Sequence, residues 1–264
     1  MSLLLLLACS QPSPLSIPFQ AHVDGTPFSC AQDYPGLGTA STTARFQDAR
    51  VYLHAIEPLD ADGEPLPFTL DDGDFQGQGV ALLDFEDGSD ACETGSPDTH
   101  TALTGTVTGD VAGLRFTLGV PSDLNHLDNA TAGAPLDAPG MWWSWAGGYK
   151  YLKIDLTTAT WPAWFFHLGA TDCEGTPGSG FSCSWGNTST ISLPWTPGHT
   201  IALDLARLYD EVDLSAPAAE DDLTPGCMSF ADDPSCPPLF RAVGLGFMDG
   251  AASPQTILSV GDTP

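Results

Sequence analysis

Three tryptophans fall within four positions of the segment MWWSWAGGYK, residues 141–150. Side chains alternate along an extended strand, so Trp143 and Trp145 are predicted to share one face with Met141, while Trp142 points the other way. An aromatic face of this kind can pack in a core, stack on sugar rings or line a cofactor site. This segment is therefore the first candidate for a functional site.

Two of the six histidines flank the tryptophans in sequence. His126 lies in GVPSDLNHLDNA, after an apolar run, and His167 ends the aromatic run of WPAWFFHLGA. A lone histidine is more often structural than a ligand, and Met141 could equally be a packed apolar side chain. Two imidazoles with a thioether would nevertheless suit a soft, monovalent metal such as Cu(I).

Other chemistries find little support in the sequence. The chain contains no Gly-x-Ser-x-Gly elbow, no glycine-rich phosphate loop and no His-Glu-x-x-His. Thirty-four acidic residues leave a carboxylate pair for glycoside hydrolysis open, but no pair stands out. The formal charge of -27 argues against a nucleic-acid partner or an anionic membrane surface, because either would need basic patches.

The sequence pattern predicts that the elements that position these residues are strands. The chain has 28 glycines and 23 prolines, and pairs such as Asp24-Gly25 and Pro197-Gly198 mark turns between short apolar runs. We predict an all-β fold, an antiparallel β-sandwich with disulfide-stapled loops, as a single domain over residues 19–264. The predicted strands cover residues 19–23, 50–56, 80–85, 113–119, 149–156, 164–168, 190–193 and 200–205, and a short helix is expected at 203–210.

The N-terminus indicates export. The apolar run MSLLLLLAC resembles a lipoprotein signal peptide over residues 1–9, with Cys9 as the lipidated residue, followed by a tether over residues 10–18. No apolar stretch is long enough to span a bilayer, so the membrane would be reached only through the lipid. A plain signal peptide is the alternative.

Six further cysteines are an even number, which is typical of disulfides in an exported chain. Fifteen pairings are open from sequence alone, but short spacings favour Cys173–Cys183 and Cys227–Cys236, which leaves Cys30 with Cys92. Thiolate metal binding is the alternative, although the chain has no Cys-x-x-Cys.

Several segments together resemble the MbnP family of copper-binding proteins, also described as the four-cysteine member of a metallo-mystery pair. They are VALLDFEDGSDAC, LRFTLGVPSDLNHLDNATAGAPL, MWWSWAGGYKYLKIDL, FHLGATDCEG and CMSFADDPSCPPLF. The similarity covers residues 19–245 and includes a Trp-x-Trp motif at Trp143-Ser144-Trp145. One departure is Ala170, where the family commonly has serine.

This resemblance implies an exported, β-rich protein, periplasmic or anchored to the outer membrane, whose partner is a di-haem enzyme of the MauG and cytochrome c peroxidase type. The partner would oxidise Trp143 to kynurenine, and the modified protein would bind one Cu(I). An intact indole offers only an N–H donor, whereas the opened ring has an aryl amine and a ketone. The implied ligands are Trp143 after modification, His126, His167 and Met141.

Three further residues are expected to support such a site: Trp145, Asn125 and Tyr149. The protein itself would be a substrate for maturation and not an enzyme. The main alternative is a carbohydrate-binding or adhesion module with the tryptophans exposed as a flat platform.

Overall fold

The computed structural model describes residues 11–216 and 225–261. The predicted signal peptide over residues 1–9, with Cys9, lies outside the described residues. No helix in the described part of the chain is long and apolar enough to cross a membrane.

Nearly all regular structure is extended. The strands are β1 (Ser13–Val23), β2 (Thr26–Pro27), β3 (Tyr34–Leu37), β4 (Thr42–Leu59), β5 (Phe68–Leu70), β6 (Gln76–Gly77), β7 (Val80–Asp84), β8 (Ala102–Val107), β9 (Gly113–Leu118), β10 (Trp142–Ser144), β11 (Gly148–Tyr149), β12 (Leu152–Thr158), β13 (Trp164–Leu168), β14 (Thr171–Thr176), β15 (Gly180–Trp185), β16 (Ser189–Leu193), β17 (Thr200–Asp204), β18 (Gly226–Cys227) and β19 (Leu258–Gly261). The helices among the described residues are three 3-10 helices, Asp90–Cys92, Pro139–Met141 and Leu205–Tyr209, and α1 (Cys236–Ala242). The expected helix at residues 203–210 is thus present in the shorter 3-10 form.

The strands form two large sheets. The first runs β19-β17-β1-β8-β5, with β2 beside β1, and the second runs β16-β9-β4-β12-β13-β18, with β3, β6 and β7 attached around β4. Phe19 of the first sheet meets Phe116 of the second with ring centroids 6.1 Å apart, so the sheets pack face to face. The predicted all-β sandwich is confirmed, although β1 pairs with β17, and β13 with β18, in parallel.

The tether predicted over residues 10–18 needs correction, because β1 already begins at Ser13. Its residues 13–18 pair with β8, and Leu15 and Ile17 are buried in the core. Apolar residues alternate from Leu15 to Val23, the period of a half-buried strand. Pro14 and Pro18 obscured the strand, because proline is uncommon inside strands.

Three disulfides join the described cysteines: Cys173–Cys183 and Cys227–Cys236, which spacing favoured, and the remaining pair Cys30–Cys92. The second lies directly across the two-stranded ribbon of β14 and β15. The thiolate-metal alternative does not hold for these cysteines in their oxidised form, because a disulfide has no thiolate to offer.

The outer face of the second sheet is covered by the segment between β9 and β12, which carries the tryptophans. Tyr52 of β4 donates a hydrogen bond to the Pro135 carbonyl at 2.8 Å, and its ring meets Tyr149 edge-on at 5.9 Å. Both tyrosines are fully buried. Polar side chains on this face of the sheet are therefore enclosed between the strands and the covering segment.

Candidate functional site

A row of charged side chains crosses this enclosed face. Lys153 of β12 is in register with Arg50 of β4 on one side and with His167 of β13 on the other. Asp48 forms ion pairs with both Arg50 and Lys153, and the Lys153 ammonium lies 2.8 Å from Asp155. All five side chains are buried, and burial of charge at this density is tolerated because each charge has an opposite partner.

His167 ends the row with one ring nitrogen bonded and the other free. Its Nε2 lies 2.7 Å from a carboxylate oxygen of Asp155. Because an ionised carboxylate only accepts, Nε2 carries the proton and Nδ1 keeps its lone pair. Nδ1 is buried and has no hydrogen-bond partner among the described residues.

The electrostatics keep this pair as a neutral imidazole and a carboxylate. Burial lowers the pKa of His167 below its ordinary value and outweighs the opposing hydrogen bond and charge of Asp155. Burial raises the pKa of Asp155, but His167 and Lys153 together bring the pKa of that carboxyl below its usual value. A carboxylate that holds one imidazole nitrogen while the other faces a ligand position is a common arrangement behind metal-binding histidines.

Trp143 lies against His167. The ring centroids are 6.2 Å apart, and the indole is half-buried. Gly169 gives the indole room, because a Cβ at that position would be 2.9 Å from the Trp143 Cη2 and 2.8 Å from the Tyr149 carbonyl oxygen. The structure therefore brings together two of the predicted site residues, the tryptophan and the histidine with the free buried nitrogen.

His126 approaches the aromatic segment from its other end. Its Nδ1 lies 2.8 Å from the carbonyl oxygen of Trp145, so Nδ1 carries the proton and Nε2 keeps its lone pair. Nε2 accepts from the Asn125 amide at 3.2 Å and lies 3.3 Å from Cys183 Sγ, while the ring stacks on Phe181. His126 is thus tied to Trp145, whereas His167 packs against Trp143.

Asn125 and Tyr149 occupy supporting positions. The buried Asn125 side chain accepts a hydrogen bond from the Tyr149 backbone N–H at 3.0 Å and donates to His126. The Tyr149 hydroxyl donates to the Leu136 carbonyl at 2.7 Å. Asn125 therefore connects the loop of His126 to the strand that follows the tryptophans.

The predicted alternation of the tryptophans is wrong beyond Trp143. Strand β10 ends at Ser144, whose hydroxyl accepts from the Gly147 N–H at 3.0 Å and so turns the chain. Trp145 consequently packs edge-on against Trp142, with ring centroids 5.9 Å apart, and is 38% exposed.

Met141 is also placed differently from the prediction. It closes the 3-10 helix Pro139–Met141 before β10 begins, so strand alternation does not apply to it. Its side chain is fully buried in the hydrophobic core. Met141 therefore matches the alternative interpretation from the sequence, a packed apolar side chain.

Sequence reasoning missed His54. It lies on β4 at an irregularity of the β4–β9 pairing, next to Ala55 with a φ of 48°. Its Nδ1 is 2.8 Å from the Gly119 carbonyl oxygen, so Nε2 again keeps the lone pair. His54 and His126 line the same cavity of about 460 Å³, together with Tyr151 and Cys183. The irregular pairing of β4 distinguishes His54 in the structure, but a single sequence does not reveal where a bulge will form.

These donors fit a soft monovalent metal better than a hard one. In each of three histidines, one ring nitrogen donates a hydrogen bond to a carbonyl or carboxylate oxygen. The other ring nitrogen is unprotonated and could ligate a metal. Neutral imidazole suits copper, whereas Mg²⁺ and Ca²⁺ prefer oxygen ligands. Among the described residues, the two groups of three close His, Cys, Asp or Glu ligand atoms both use disulfide sulfurs, and neither contains His167.

Comparisons with known proteins identify a family and a similar fold. Residues 12–229 match the family model described as MbnP. The fold is similar to a solved structure, MbnP from Methylosinus trichosporium, with a TM-score of 0.83 and 28% sequence identity, over 96% of this chain and 100% of that one. A search of curated proteins finds no match.

Proposed function

The chain belongs to the MbnP family, and on that premise we propose that it is an exported copper-binding protein that holds one Cu(I). The ligands are His167 Nδ1, His126 Nε2 and the kynurenine formed from Trp143. The observation that carries the proposal is the buried, unpartnered Nδ1 of His167 beside the Trp143 ring. A buried polar atom without a partner is costly, and a metal would remove that cost.

Modification of Trp143 belongs to the same proposal. A di-haem enzyme of the MauG and cytochrome c peroxidase type would use two molecules of hydrogen peroxide, break the indole C2–C3 bond and add one oxygen atom to each carbon, with two molecules of water released. Hydrolysis of the resulting formamide releases C2 as formate and leaves an aryl amine and a ketone on the side chain. The half-buried position of Trp143 supports this, because the ring reaches His167 and yet is not sealed in the core.

Bound copper would supply only a soft cation in this site. The residues of the chain would do the rest: Asp155 would hold the His167 tautomer, and the Trp145 carbonyl would hold that of His126. His54 lies in the same cavity as His126 and is a candidate for an additional imidazole ligand. Lys153 balances the charge of Asp155 whether or not metal is present.

Three disulfides support export, because such bonds persist in oxidising compartments. We place the protein in the periplasm or at the outer membrane, attached by a lipid on Cys9. The protein would act as the target of its maturation enzyme and not as a catalyst.

The carbohydrate-binding alternative receives less support. A sugar platform needs aromatic rings that lie flat and exposed. Trp142 and Trp145 instead meet at an interplanar angle of 83°, and Trp142 and Trp143 are half-buried. The three rings therefore do not offer one continuous stacking surface.

The test is to produce the protein with and without its active di-haem partner, then measure peptide masses and bound copper. We expect kynurenine at residue 143 and one copper per chain only with the partner. Trp143→Phe should abolish both, while Trp142→Phe should retain both, since Trp142 is the matched neighbour. Unmodified Trp143 and no copper in the presence of active partner would refute the proposal.

The ligands are tested separately on modified protein. His167→Ala and His126→Ala should each abolish tight Cu(I) binding in competition with a chromophoric chelator. His100→Ala is the control. His100 stacks on Phe75 and is hydrogen-bonded to Gln76, and neither residue belongs to the proposed site. Unchanged affinity in both ligand variants would remove these histidines from the site, and His54→Ala would then be the next variant to measure.

A further inference from the structure

One disulfide differs from the other two in its surroundings. Cys173 and Cys183 are half-buried on the β14–β15 ribbon. The four cysteines of the other two disulfides are at most 2% exposed. Because disulfide reduction requires attack by a thiolate on an accessible sulfur, the Cys173–Cys183 bond is the one open to a reductant.

An oriented imidazole lies next to this bond. His126 Nε2 is 3.3 Å from Cys183 Sγ and is unprotonated, because Nδ1 donates to the Trp145 carbonyl. Its lone pair accepts from the Asn125 amide at 3.2 Å, a hydrogen bond that a metal on Nε2 would replace. Stacking on Phe181, at a centroid distance of 4.3 Å, holds the ring in this plane. A ring nitrogen of His126 and the two sulfurs all lie within 4.8 Å of one another.

We propose that the Cys173–Cys183 disulfide is a redox-controlled metal site, which on reduction binds Cu(I) through two thiolates and His126 Nε2. A dithiol supplies the two electrons: the Cys173–Cys183 bond breaks, both cysteines become thiols, and the dithiol is oxidised to its disulfide. Binding of Cu(I) then displaces the two thiol protons into solvent. Two thiolates and an imidazole are soft donors that suit Cu(I).

The surroundings allow a metal to enter. His126 and Cys183 both line the cavity of about 460 Å³, which gives a route from solvent to the ligand atoms. The β14–β15 pairing keeps Cys173 opposite Cys183 through the ladder of backbone contacts on either side, including Glu174 with Ser182. The two sulfurs therefore stay neighbours once the bond between them is broken.

This site is distinct from the kynurenine site, although both use His126. Its other ligands are thiolates, and none of them requires Trp143 to be modified. Cu(I) bound to the reduced cysteines would occupy His126 Nε2, so the state of the disulfide would also decide whether His126 is available to the kynurenine site.

The experiment uses the mature chain with Trp143→Phe, which removes the kynurenine site. One sample is kept oxidised, and the other is treated with a mild dithiol that is then removed without oxygen. Cu(I) is titrated against a chromophoric chelator, and free thiols are identified by alkylation and peptide mass. We expect thiols only at residues 173 and 183, and one additional Cu(I) per chain after reduction.

Two variants in the same background identify the ligands. Cys173→Ser with Cys183→Ser should lose the added copper, and His126→Gln should lower the affinity at least about tenfold. His100→Gln is the control and should leave it unchanged. The proposal is overturned if reduction adds no Cu(I), if the serine variant binds as much, or if the buried disulfides are reduced first. Kynurenine-dependent binding is measured in chains with Trp143 and intact disulfides, so failure of one proposal does not imply failure of the other.

Discussion

For single residues, the chemistry depends on which nitrogen of each histidine keeps its proton. Asp155 holds the proton of His167 on Nε2, and a backbone carbonyl holds that of His126 on Nδ1. Each arrangement leaves a neutral nitrogen pointing away from its anchor. The candidate site therefore contains two histidines whose tautomers are fixed by hydrogen-bond acceptors on different elements of the chain.

Asp84 gives a pH dependence that can be measured. Burial raises its pKa from 3.8 to about 8, and the nearby Arg50 charge opposes this only in part. Between these values the folded chain keeps a proton that the unfolded chain has lost, so the free energy of unfolding falls as pH rises through this window. Asp84→Asn is neutral throughout and should be more stable than the parent by on the order of a few kcal/mol near pH 8, but not near pH 4.

Urea denaturation of the parent and Asp84→Asn at several pH values measures this difference. Asp110→Asn, at an exposed position, is the control for removing one negative charge. A difference between Asp84→Asn and the parent that stays constant with pH would contradict the raised pKa.

The candidate ligands could be picked out from the sequence, whereas the groups that anchor them could not. Trp143 and His167 were recognisable from the aromatic residues beside them, and His126 from the family motif in which it stands. The anchors were not, since Asp155 is one of 34 acidic residues and a backbone carbonyl leaves no mark in sequence. Met141 was misplaced because alternation was extended past the start of a three-residue strand.

Among the elements, β13 and the turn that follows it decide where Trp143 sits. Gly169 comes directly after β13, and the indole lies against its Cα. The Gly169 N–H donates a hydrogen bond to the Ser229 hydroxyl at 3.3 Å, and the Gly169 carbonyl accepts one from the Asn187 amide at 2.8 Å. The turn is thus held from both sides and has little freedom to move away from the ring.

Gly169→Ala should displace Trp143. The added methyl would overlap the indole and approach the Tyr149 carbonyl oxygen at 2.8 Å, so the ring or the turn must shift. Overpacking of this kind costs about 1–3 kcal/mol. We expect lower stability and less conversion of Trp143 by the partner, measured by denaturation and peptide mass.

Gly186→Ala is the matched control for this change. A Cβ at Gly186 has no atom within 4 Å, and this glycine follows β15 close to the same region. Equal conversion of Trp143 in both variants would show that Gly169 does not position the ring.

The strands with clear alternation were predictable, and the irregular elements were not. The predicted strand at residues 164–168 coincides with β13. The predicted strand at residues 149–156 overlaps β12 but begins three residues before it and ends two residues short of it. The β14–β15 ribbon was missed, since its residues are largely exposed and the apolar alternation is confined to β15, at Phe181, Cys183 and Trp185. The parallel pairing of β1 with β17 joins segments too distant in sequence for local patterns to indicate.

For the whole molecule, the disulfides connect parts of the chain at very different separations. Cys30 and Cys92 are 62 residues apart, whereas Cys227 and Cys236 are 9 apart. All four cysteines are buried, so alanine replacements leave comparable gaps. The two pairs therefore allow the effect of loop length to be measured with packing held similar.

Replacing Cys30 and Cys92 together with alanine should destabilise the fold more than replacing Cys227 and Cys236. Loss of the longer crosslink frees more of the unfolded chain, which corresponds to roughly 4 kcal/mol against roughly 3 kcal/mol for the shorter one. For a chain of this size the larger loss lowers Tm by about 10 °C. Thermal and urea unfolding of both double variants measures the two losses, and an equal or reversed order would mean that contacts around each bridge outweigh chain entropy.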